Sequence, residues 1–239
     1  MTTVSLTSLV RRADPDRFLG AIFAPATLRE DLIVLYAFNH ELARAREVAS
    51  NPALTLIRLQ WWREAVDGFD KKHPVADALR GMLARGAVDQ KELIALVDAR
   101  EAEAEPISDV AAFLGYVRGT AGRLMRIAGG ILGVQDQAGL ATLEDLGTGT
   151  GIVFLIRAAP TLRNFGRDLL PQDGTTTRRL MELAYPLIAE KPPAKALAAA
   201  LPAVLARRDW ARLQHGTGPR PRGLTDRLAV IAAGLRGSL

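Results

Sequence analysis

The stretch LYAFNHELARAREV, residues 35–48, places polar side chains where a metal-dependent enzyme would place its ligands. Residues four apart in an α-helix share one face, so Asn39, Ala43 and Glu47 line up. Carboxylates at both 43 and 47 would form a pair able to bind Mg²⁺ through oxygen. Position 43 is alanine, so the pair is incomplete. The stretch therefore predicts either an active-site helix or one that has lost its chemistry.

A second stretch, RLQWWREAVD (residues 58–67), carries two adjacent tryptophans flanked by arginines. Arg58 and Trp62 lie one turn apart on one helix face, whereas Trp61 faces partly elsewhere. Pocket lining would explain this face. Core packing, with the arginines reaching solvent, would explain it equally well. The sequence leaves both interpretations open.

Other familiar catalytic patterns are missing from the sequence. There is no cysteine, which excludes disulfides, thiolate metal sites and cysteine nucleophiles. The three histidines, His40, His73 and His215, are far apart and form no zinc-binding pair. The segment LGTGTGIVF (146–154) lacks the spacing of phosphate-binding loops. We interpret its glycines as sites of close helix packing.

Charge and hydropathy indicate the kind of partner and the location. The balance of 31 Lys+Arg against 26 Asp+Glu gives a net charge of +5, which favours anionic partners such as phosphates or acidic membrane surfaces. The basic residues are dispersed, so we expect no nucleic-acid partner. No signal peptide is recognisable, and no run reaches the roughly 18 apolar residues of a membrane span. We expect a cytoplasmic protein, with any membrane contact peripheral, on the inner membrane.

The elements that must position these residues are helices, because apolar residues recur with helical spacing almost throughout. Asp14-Pro15 and Asn51-Pro52 each combine a capping residue with proline at the first helical position. We predict helices over residues 15–23, 26–47, from 52, 73–86, 88–105, 109–133, 136–159, 174–190, 194–214 and 224–236. The acidic tail REAEAEP (100–106) is predicted to be a solvated face. The pattern predicts a single all-α domain of eight to ten helices.

Several segments together resemble the squalene/phytoene synthase family of the isoprenoid synthase superfamily. They are YAFNHELARARE, RLQWWREAVDGF with HPVADAL, GYVRGTAGRLM with AGGILG, and GIVFLIRAAPTLRNFGRDLLPQD. They occur in the family's order and at roughly its spacing. The resemblance implies an all-α isoprenoid synthase bundle with a central cavity, forming one squalene/phytoene synthase-like domain over residues 1–239.

In active members of that family, two DxxxD motifs face each other across the cavity and hold Mg²⁺, which ionises a prenyl diphosphate. The first motif falls at Ala43 and Glu47 of this chain, and the second at Ala158 and Leu162, where Pro160 intervenes. Three of the four carboxylates are missing. We therefore expect no catalytic residues, no metal and no cofactor.

The alternative is a divergent squalene/phytoene synthase-type prenyltransferase, which would need Mg²⁺ and displaced acids. Glu41, Glu64, Asp67 and Asp168 are candidates, but they lie at other helical phases or in a loop. A narrower resemblance, through AFNHELARARE and IRLQWWREAV, is to the branch that lacks the aspartate-rich motifs and includes the mitochondrial complex I assembly factor. It implies a pseudoenzyme that acts as a lipid- or isoprenoid-binding protein or as a respiratory-complex assembly protein at the membrane.

The expected partners are an isoprenoid or lipid ligand and a membrane-complex subunit, with peripheral membrane contact. The candidate ligand-binding residues are Asn39, Ala43, Glu47, Arg58, Trp62, Arg157 and Arg167. An anionic headgroup would be held without metal by arginines around the former metal site, unless these are ordinary solvated or paired residues. They are Arg44, Arg46, Arg157, Arg163 and Arg167.

The final helix is amphipathic. Its apolar side comprises Leu224, Leu228, Ile231, Ala232 and Leu235. Arg227 and Arg236 lie elsewhere on the helix. This side would lie on an anionic bilayer or dock onto the bundle, and we favour docking.

Overall fold

Every regular element in the part of the chain that the structure describes is helical. The structure is a computed structural model and describes residues 5–47, 51–216 and 220–239. No β-strand occurs among these residues, which confirms the all-α prediction. The α-helices are α1 (Leu6–Ala13), α2 (Pro15–Ala21), α3 (Ala26–Glu47), α4 (Pro52–Val66), α5 (Pro74–Ala84), α6 (Gln90–Ala99), α7 (Val110–Val117), α8 (Arg123–Ile131), α9 (Gln137–Asn164), α10 (Thr177–Ile188), α11 (Leu197–Ala200), α12 (Pro202–Gln214) and α13 (Leu224–Arg236). Two 3₁₀ segments, Arg100–Glu103 and Ala194–Ala196, and a π-helical turn, Arg118–Gly122, connect some of them.

The predicted capping residues set the starts of two helices. The Asp14 side chain accepts a hydrogen bond from the Arg17 N–H (3.1 Å), and Asn51 accepts one from the Leu54 N–H (3.0 Å). Proline follows each cap at a position where a missing N–H costs no helical hydrogen bond. The predicted bounds of α3 and α13 are confirmed, and α2 and α4 begin where predicted.

Four details of the prediction are wrong. Residues 194–214 do not form one helix but a 3₁₀ segment, α11 and α12, because Pro202 begins a new helix. Residues 88–105 do not form one helix, because α6 ends at Ala99 and a 3₁₀ segment follows. Helix α9 does not stop before Pro160 but continues to Asn164. A proline removes one helical hydrogen bond, yet the helix continues for one more, largely exposed turn past Pro160. Helix α1, capped by the Ser5 side chain, was not predicted.

Helix α9 packs closely against its neighbours through its glycines. A Cβ on Gly149 would lie 2.7 Å from the Cβ of Leu187, and one on Gly151 would lie 2.5 Å from the Cβ of Ala121. The interpretation of this segment as a site of close helix packing is confirmed. By length and composition alone, α9 is also apolar enough to cross a membrane, yet 56% of that window is buried inside the protein. Packing accounts for its apolar composition.

The last helix, α13, docks through a face other than the one predicted. Asp226, Val230 and Ala233 are buried, and the Asp226 carboxylate accepts hydrogen bonds from Arg208 (2.8 Å) and Arg212 (2.5 Å) of α12. The exposed apolar side chains of α13 are Leu224, Leu228 and Leu235. The prediction that these leucines dock onto the bundle is wrong, because the paired Asp226 turns the opposite face inward.

Two apolar clusters form most of the core. One centres on α3 and includes Phe38 and Leu124, and the other joins α7, α9 and α10 and includes Phe113 and Val117. Leu124 and Val117 both line a single cavity, so this cavity lies where the two clusters meet.

Replacing Gly151 by alanine is expected to lower the free energy of unfolding by about 1–3 kcal/mol, because the interior has no room for the methyl group. The added Cβ would lie 2.5 Å from Ala121 and 2.7 Å from a methyl of Val117. The matched control is Gly115→Ala on α7, where a Cβ would meet nothing within 4 Å. For Gly115→Ala we expect the free energy of unfolding to rise by up to about 1 kcal/mol, because alanine has a higher helix propensity than glycine. Urea unfolding followed by circular dichroism measures both; equal changes would contradict the packing role.

Candidate functional site

The positions of the two aspartate motifs meet across one cavity, here named the central cavity. Ala43 of α3 faces Ala158 and Leu162 of α9 across a volume of about 270 Å³, and Asn39 lines the same wall one turn before Ala43. The backbone of Glu47 ends α3, but its side chain lies outside the described residues. The two helices therefore keep the arrangement that the resemblance implies, with alanine and leucine at three of the four motif positions.

A buried carboxylate that the sequence did not single out lies on this wall. Glu103 has a side chain only 1% exposed. Its Oε1 accepts hydrogen bonds from Arg100 (2.6 Å) and from the Tyr116 hydroxyl (2.8 Å), and its Oε2 accepts one from Arg167 (3.0 Å). Arg100 also donates to the Asn39 side-chain oxygen (2.8 Å). These five residues form a network, named here the Glu103 network, which joins α3, the 3₁₀ segment, α7 and the loop after α9.

Burial and neighbouring charges shift the pKa values of two members of this network, Tyr116 and Arg100. Burial, followed by the nearby Glu103 carboxylate, raises the pKa of the Tyr116 hydroxyl, which keeps it protonated as a donor. Burial opposes the charge of Arg100, but Glu103 and Tyr116 outweigh it and raise the pKa of the guanidinium. The network therefore holds Arg100 charged at neutral pH.

The prediction that the REAEAEP tail forms a solvated face is wrong at Glu103. The tail leaves α6 as a 3₁₀ segment, and this change of helical phase turns Glu103 inward while Glu101 stays exposed. A helix pattern extrapolated through the tail could not show this. The spacing of Arg100 and Glu103, which permits an i,i+3 ion pair, was the available signal.

The rest of the central cavity is lined by one further cation, by Thr120, whose hydroxyl donates to the Tyr116 carbonyl (2.7 Å), and by apolar residues. Arg17 of α2 lines it and forms an ion pair with Asp14 (2.6 Å). The apolar lining comprises Val117, Ala121, Leu124, Phe154, Leu155 and Leu169, beside the motif positions. The cavity thus combines a cationic, hydrogen-bonding wall with an apolar wall, an arrangement suited to an amphipathic ligand with an anionic or hydrogen-bond-accepting head.

The donor set does not fit a magnesium cluster. Among the described lining residues Glu103 is the one carboxylate, and two arginines and a tyrosine occupy its oxygens. Within the described ranges, no group of three or more His, Asp or Glu side chains lies close enough to hold a metal ion. Mg²⁺ needs several hard oxygen ligands, which this wall does not supply.

The displaced acids do not replace the missing ligands, because none of them lines the central cavity. Glu41 pairs with Arg44 (3.3 Å) and Glu64 with Lys71 (2.5 Å). Asp168 pairs with Arg163 (2.7 Å). The fourth, Asp67, accepts a hydrogen bond from the Gln90 side chain (3.0 Å).

Of the five arginines predicted around the former metal site, Arg167 lines the central cavity. Arg157 points to the other side of α9, where it donates to the Arg220 carbonyl (2.9 Å) and lies 3.7 Å from the Asp209 carboxylate. It precedes Ala158 by one residue, and one residue turns a helix by about 100°. Arg46 does not line the central cavity either, and its side chain donates to the backbone carbonyl of Glu103 (3.2 Å).

Arg58 and Trp62 line a second cavity of about 320 Å³, named here the tryptophan cavity, between the end of α3 and α4. Trp62 is buried, and its ring meets Phe38 edge-on at 5.5 Å and Trp61 at 4.8 Å. Arg58 is exposed at the rim. Both interpretations of the double tryptophan therefore apply to Trp62, which packs in the core and lines a cavity. The structure places Arg58 and Trp62 apart from Asn39 and Ala43.

Glu103→Gln is expected to lower the free energy of unfolding by about 3–5 kcal/mol, because it leaves buried arginine charges uncompensated. Glu101→Gln is the matched control, since Glu101 lies in the same tail, is half exposed and pairs with Arg63. Glu101→Gln should lower the free energy of unfolding by less than about 1 kcal/mol. Thermal and urea unfolding measure both, and a Glu103 variant as stable as the control would contradict the network's structural role.

Comparison with known proteins gives this arrangement a family. The family model described as squalene/phytoene synthase matches residues 10–177 of this chain. NADH dehydrogenase (ubiquinone) complex I, assembly factor 6, of Bos taurus and of Homo sapiens is 28% identical over 171 residues, covering 69% of this chain and 51% of the relative. The chain therefore spans about half the length of these curated relatives.

Solved structures agree on the fold. A crystal structure of a dehydrosqualene synthase in complex with ligand superposes with a TM-score of 0.77 at 12% identity, over 97% of this chain and 94% of that one. A crystal structure of squalene synthase HpnC from Alicyclobacillus acidocaldarius superposes with a TM-score of 0.64 at 17% identity. The superposition covers 90% of this chain and 94% of that one. At such identities the likeness shows the fold alone, which is the helical isoprenoid synthase fold. Because the family match covers more than half of the sequence, this chain belongs to the squalene/phytoene synthase family.

Proposed function

We propose that this protein acts without Mg²⁺-dependent condensation of prenyl diphosphates, as an assembly protein for a membrane respiratory complex that keeps its cavity for a lipid or isoprenoid ligand. One observation carries the proposal. Ala43, Ala158 and Leu162 stand on the cavity wall at three motif positions, and the acid of that wall, Glu103, is neutralised by arginines.

The chemistry of the wall supports a change of role. Ionising a prenyl diphosphate takes metal ions to hold the departing diphosphate, and those ions take carboxylates. The wall has three arginines, Arg17, Arg100 and Arg167, against the two acids paired with them, Asp14 and Glu103. This excess of one positive charge disfavours divalent cations and favours anions. The same wall can hold an anionic or polar head directly, while the apolar side receives a hydrocarbon chain.

The size of the central cavity favours one ligand over two. Its volume of about 270 Å³ is just below the usual range of small-molecule sites, which runs from about 300 to 1,000 Å³. Condensation would require two prenyl chains side by side. A single small amphipathic molecule matches the space and the two kinds of wall.

The partner is inferred from likeness. The curated relatives are named as assembly factors of the NADH dehydrogenase (ubiquinone) complex. Because the described residues form no metal site and 69% of the chain is related to such factors, we propose that the protein associates with a respiratory complex at the membrane. The divergent prenyltransferase is not favoured, because its displaced acids lie outside the central cavity.

Deleting the gene in the source cell is expected to reduce the assembled NADH dehydrogenase complex on native gels, and the wild-type chain should restore it. Ala158→Phe fills the central cavity and is expected to restore less than half of the complex. Ala141→Phe, on the exposed side of the same helix, is the matched control and should restore it fully. Normal complex in the deletion strain would reject the assembly role, and full rescue by Ala158→Phe would reject the role of the cavity.

A further inference from the structure

Helix α13 leaves its apolar face uncovered. Leu224, Leu228 and Leu235 are 72%, 52% and 78% exposed. At about 100° per residue they fall within a stripe of about 40° along the helix. The buried residues Asp226 and Ala233 lie on the opposite side. A monomeric protein rarely exposes aligned leucines of this size without a use for them.

An ion-pair cluster holds this orientation. Asp226 is 2% exposed and is hydrogen-bonded by Arg208, Arg212 and the Gly223 N–H. Burial raises the pKa of its carboxyl group, but the hydrogen bonds from Arg212 and Arg208 outweigh burial and hold that pKa well below its usual range. The pair is therefore intact at neutral pH. The helix cannot roll its leucines inward without breaking it.

The exposed charged side chains of α13 itself are all positive. Asp226 is the only acid of α13, so the exposed charged side chains of the helix are Arg227 and Arg236, which flank the leucine stripe. A groove between α2 and α13 adds Arg11 and the half-exposed Ile22. The two acids that line this groove, Asp16 and Asp226, are paired with arginines: Asp16 with Arg222 (3.1 Å), and Asp226 as described above.

We propose that this surface, named here the α13 face (Leu224, Leu228 and Leu235 with Arg227, Arg236, Arg11 and Ile22), docks on the surface of an anionic lipid bilayer. An amphipathic helix lies in the interface with its apolar stripe among the acyl chains and its arginines among the headgroups. Anionic lipid complements the uncompensated arginines. A second copy does not, because symmetric pairing would bring the arginines of the α13 face against their own kind.

The binding is reversible and depends on salt. One short apolar stripe is a weak anchor, and the arginine contribution falls off within a Debye length. The inference deepens the proposed function by naming the surface that brings the protein to the membrane. It does not depend on the central cavity, which is lined by other helices.

The test is co-sedimentation of the full chain with vesicles of phosphatidylcholine alone and of phosphatidylcholine mixed with phosphatidylglycerol. We expect binding to the mixed vesicles that weakens with added salt. The triple variant Leu224→Ser, Leu228→Ser, Leu235→Ser should reduce partitioning about tenfold or more. Arg227→Gln with Arg236→Gln should remove most of the preference for phosphatidylglycerol.

The matched control changes three exposed apolar residues elsewhere, Leu54→Ser, Leu56→Ser and Phe69→Ser, and should bind like wild type. Thermal unfolding of every variant checks folding, and all the substituted side chains are exposed. Absence of binding by the folded wild type, or undiminished binding by the folded leucine variant, would overturn the proposal. A wild-type dimer that the leucine variant dissociates, without vesicle binding, would overturn it in favour of an interface between copies. These outcomes leave the complex-assembly experiment unaffected, so failure of one inference is distinguishable from failure of the other.

Discussion

The carboxylate of Glu103, buried between Arg100 and Arg167, is the interaction on which the arrangement of the central cavity depends. Through Arg100 it reaches Asn39 on α3, and through Tyr116 it reaches α7. A buried charge is tolerated only when its partners are close and its hydrogen bonds are made, and here both conditions hold. The wall is thereby compensated by the protein's own side chains, with no need for a cation to offset clustered acids.

This constraint connects the sequence changes to the proposed role. Helix α9 keeps its glycine contacts with α10 and the π-helical turn, so positions 158 and 162 still face α3. The family's frame is intact while the residues that would bind metal are replaced. Retaining a cavity with one charged and one apolar wall is physically consistent with holding an amphipathic ligand. It is also consistent with the proposed role, in which the protein associates with a membrane complex and does not condense prenyl diphosphates.

Much of the fold could be predicted from local signals. Asp14 and Asn51, each followed by a proline, correctly predicted where α2 and α4 begin. Helical periodicity correctly predicted the bounds of α3 and α13. Convergence of Asn39 and Ala43 with position 158 followed from the family pattern. Two local signals were misleading. Pro160 does not end α9, which continues for one more turn, and Glu103 turns inward after a change of helical phase.

The side chains that escaped prediction share one cause, which is that an ion pair decides the orientation of each. Arg157 faces the Arg220 carbonyl and Asp209 instead of the cavity, and Asp226 turns the leucines of α13 outward. The sequence pattern instead placed Arg157 at the cavity and the leucines of α13 against the bundle. Only the positions of their partners, far away in sequence, could have shown otherwise.

The central claim is that the cavity no longer ionises prenyl diphosphates, and release of diphosphate tests it most directly. The full chain is incubated with farnesyl diphosphate and Mg²⁺, beside a catalytically active dehydrosqualene synthase as positive control. The account predicts release no faster than in buffer, and no change in Glu47→Gln. Magnesium-dependent release that Glu47→Gln abolishes would contradict it.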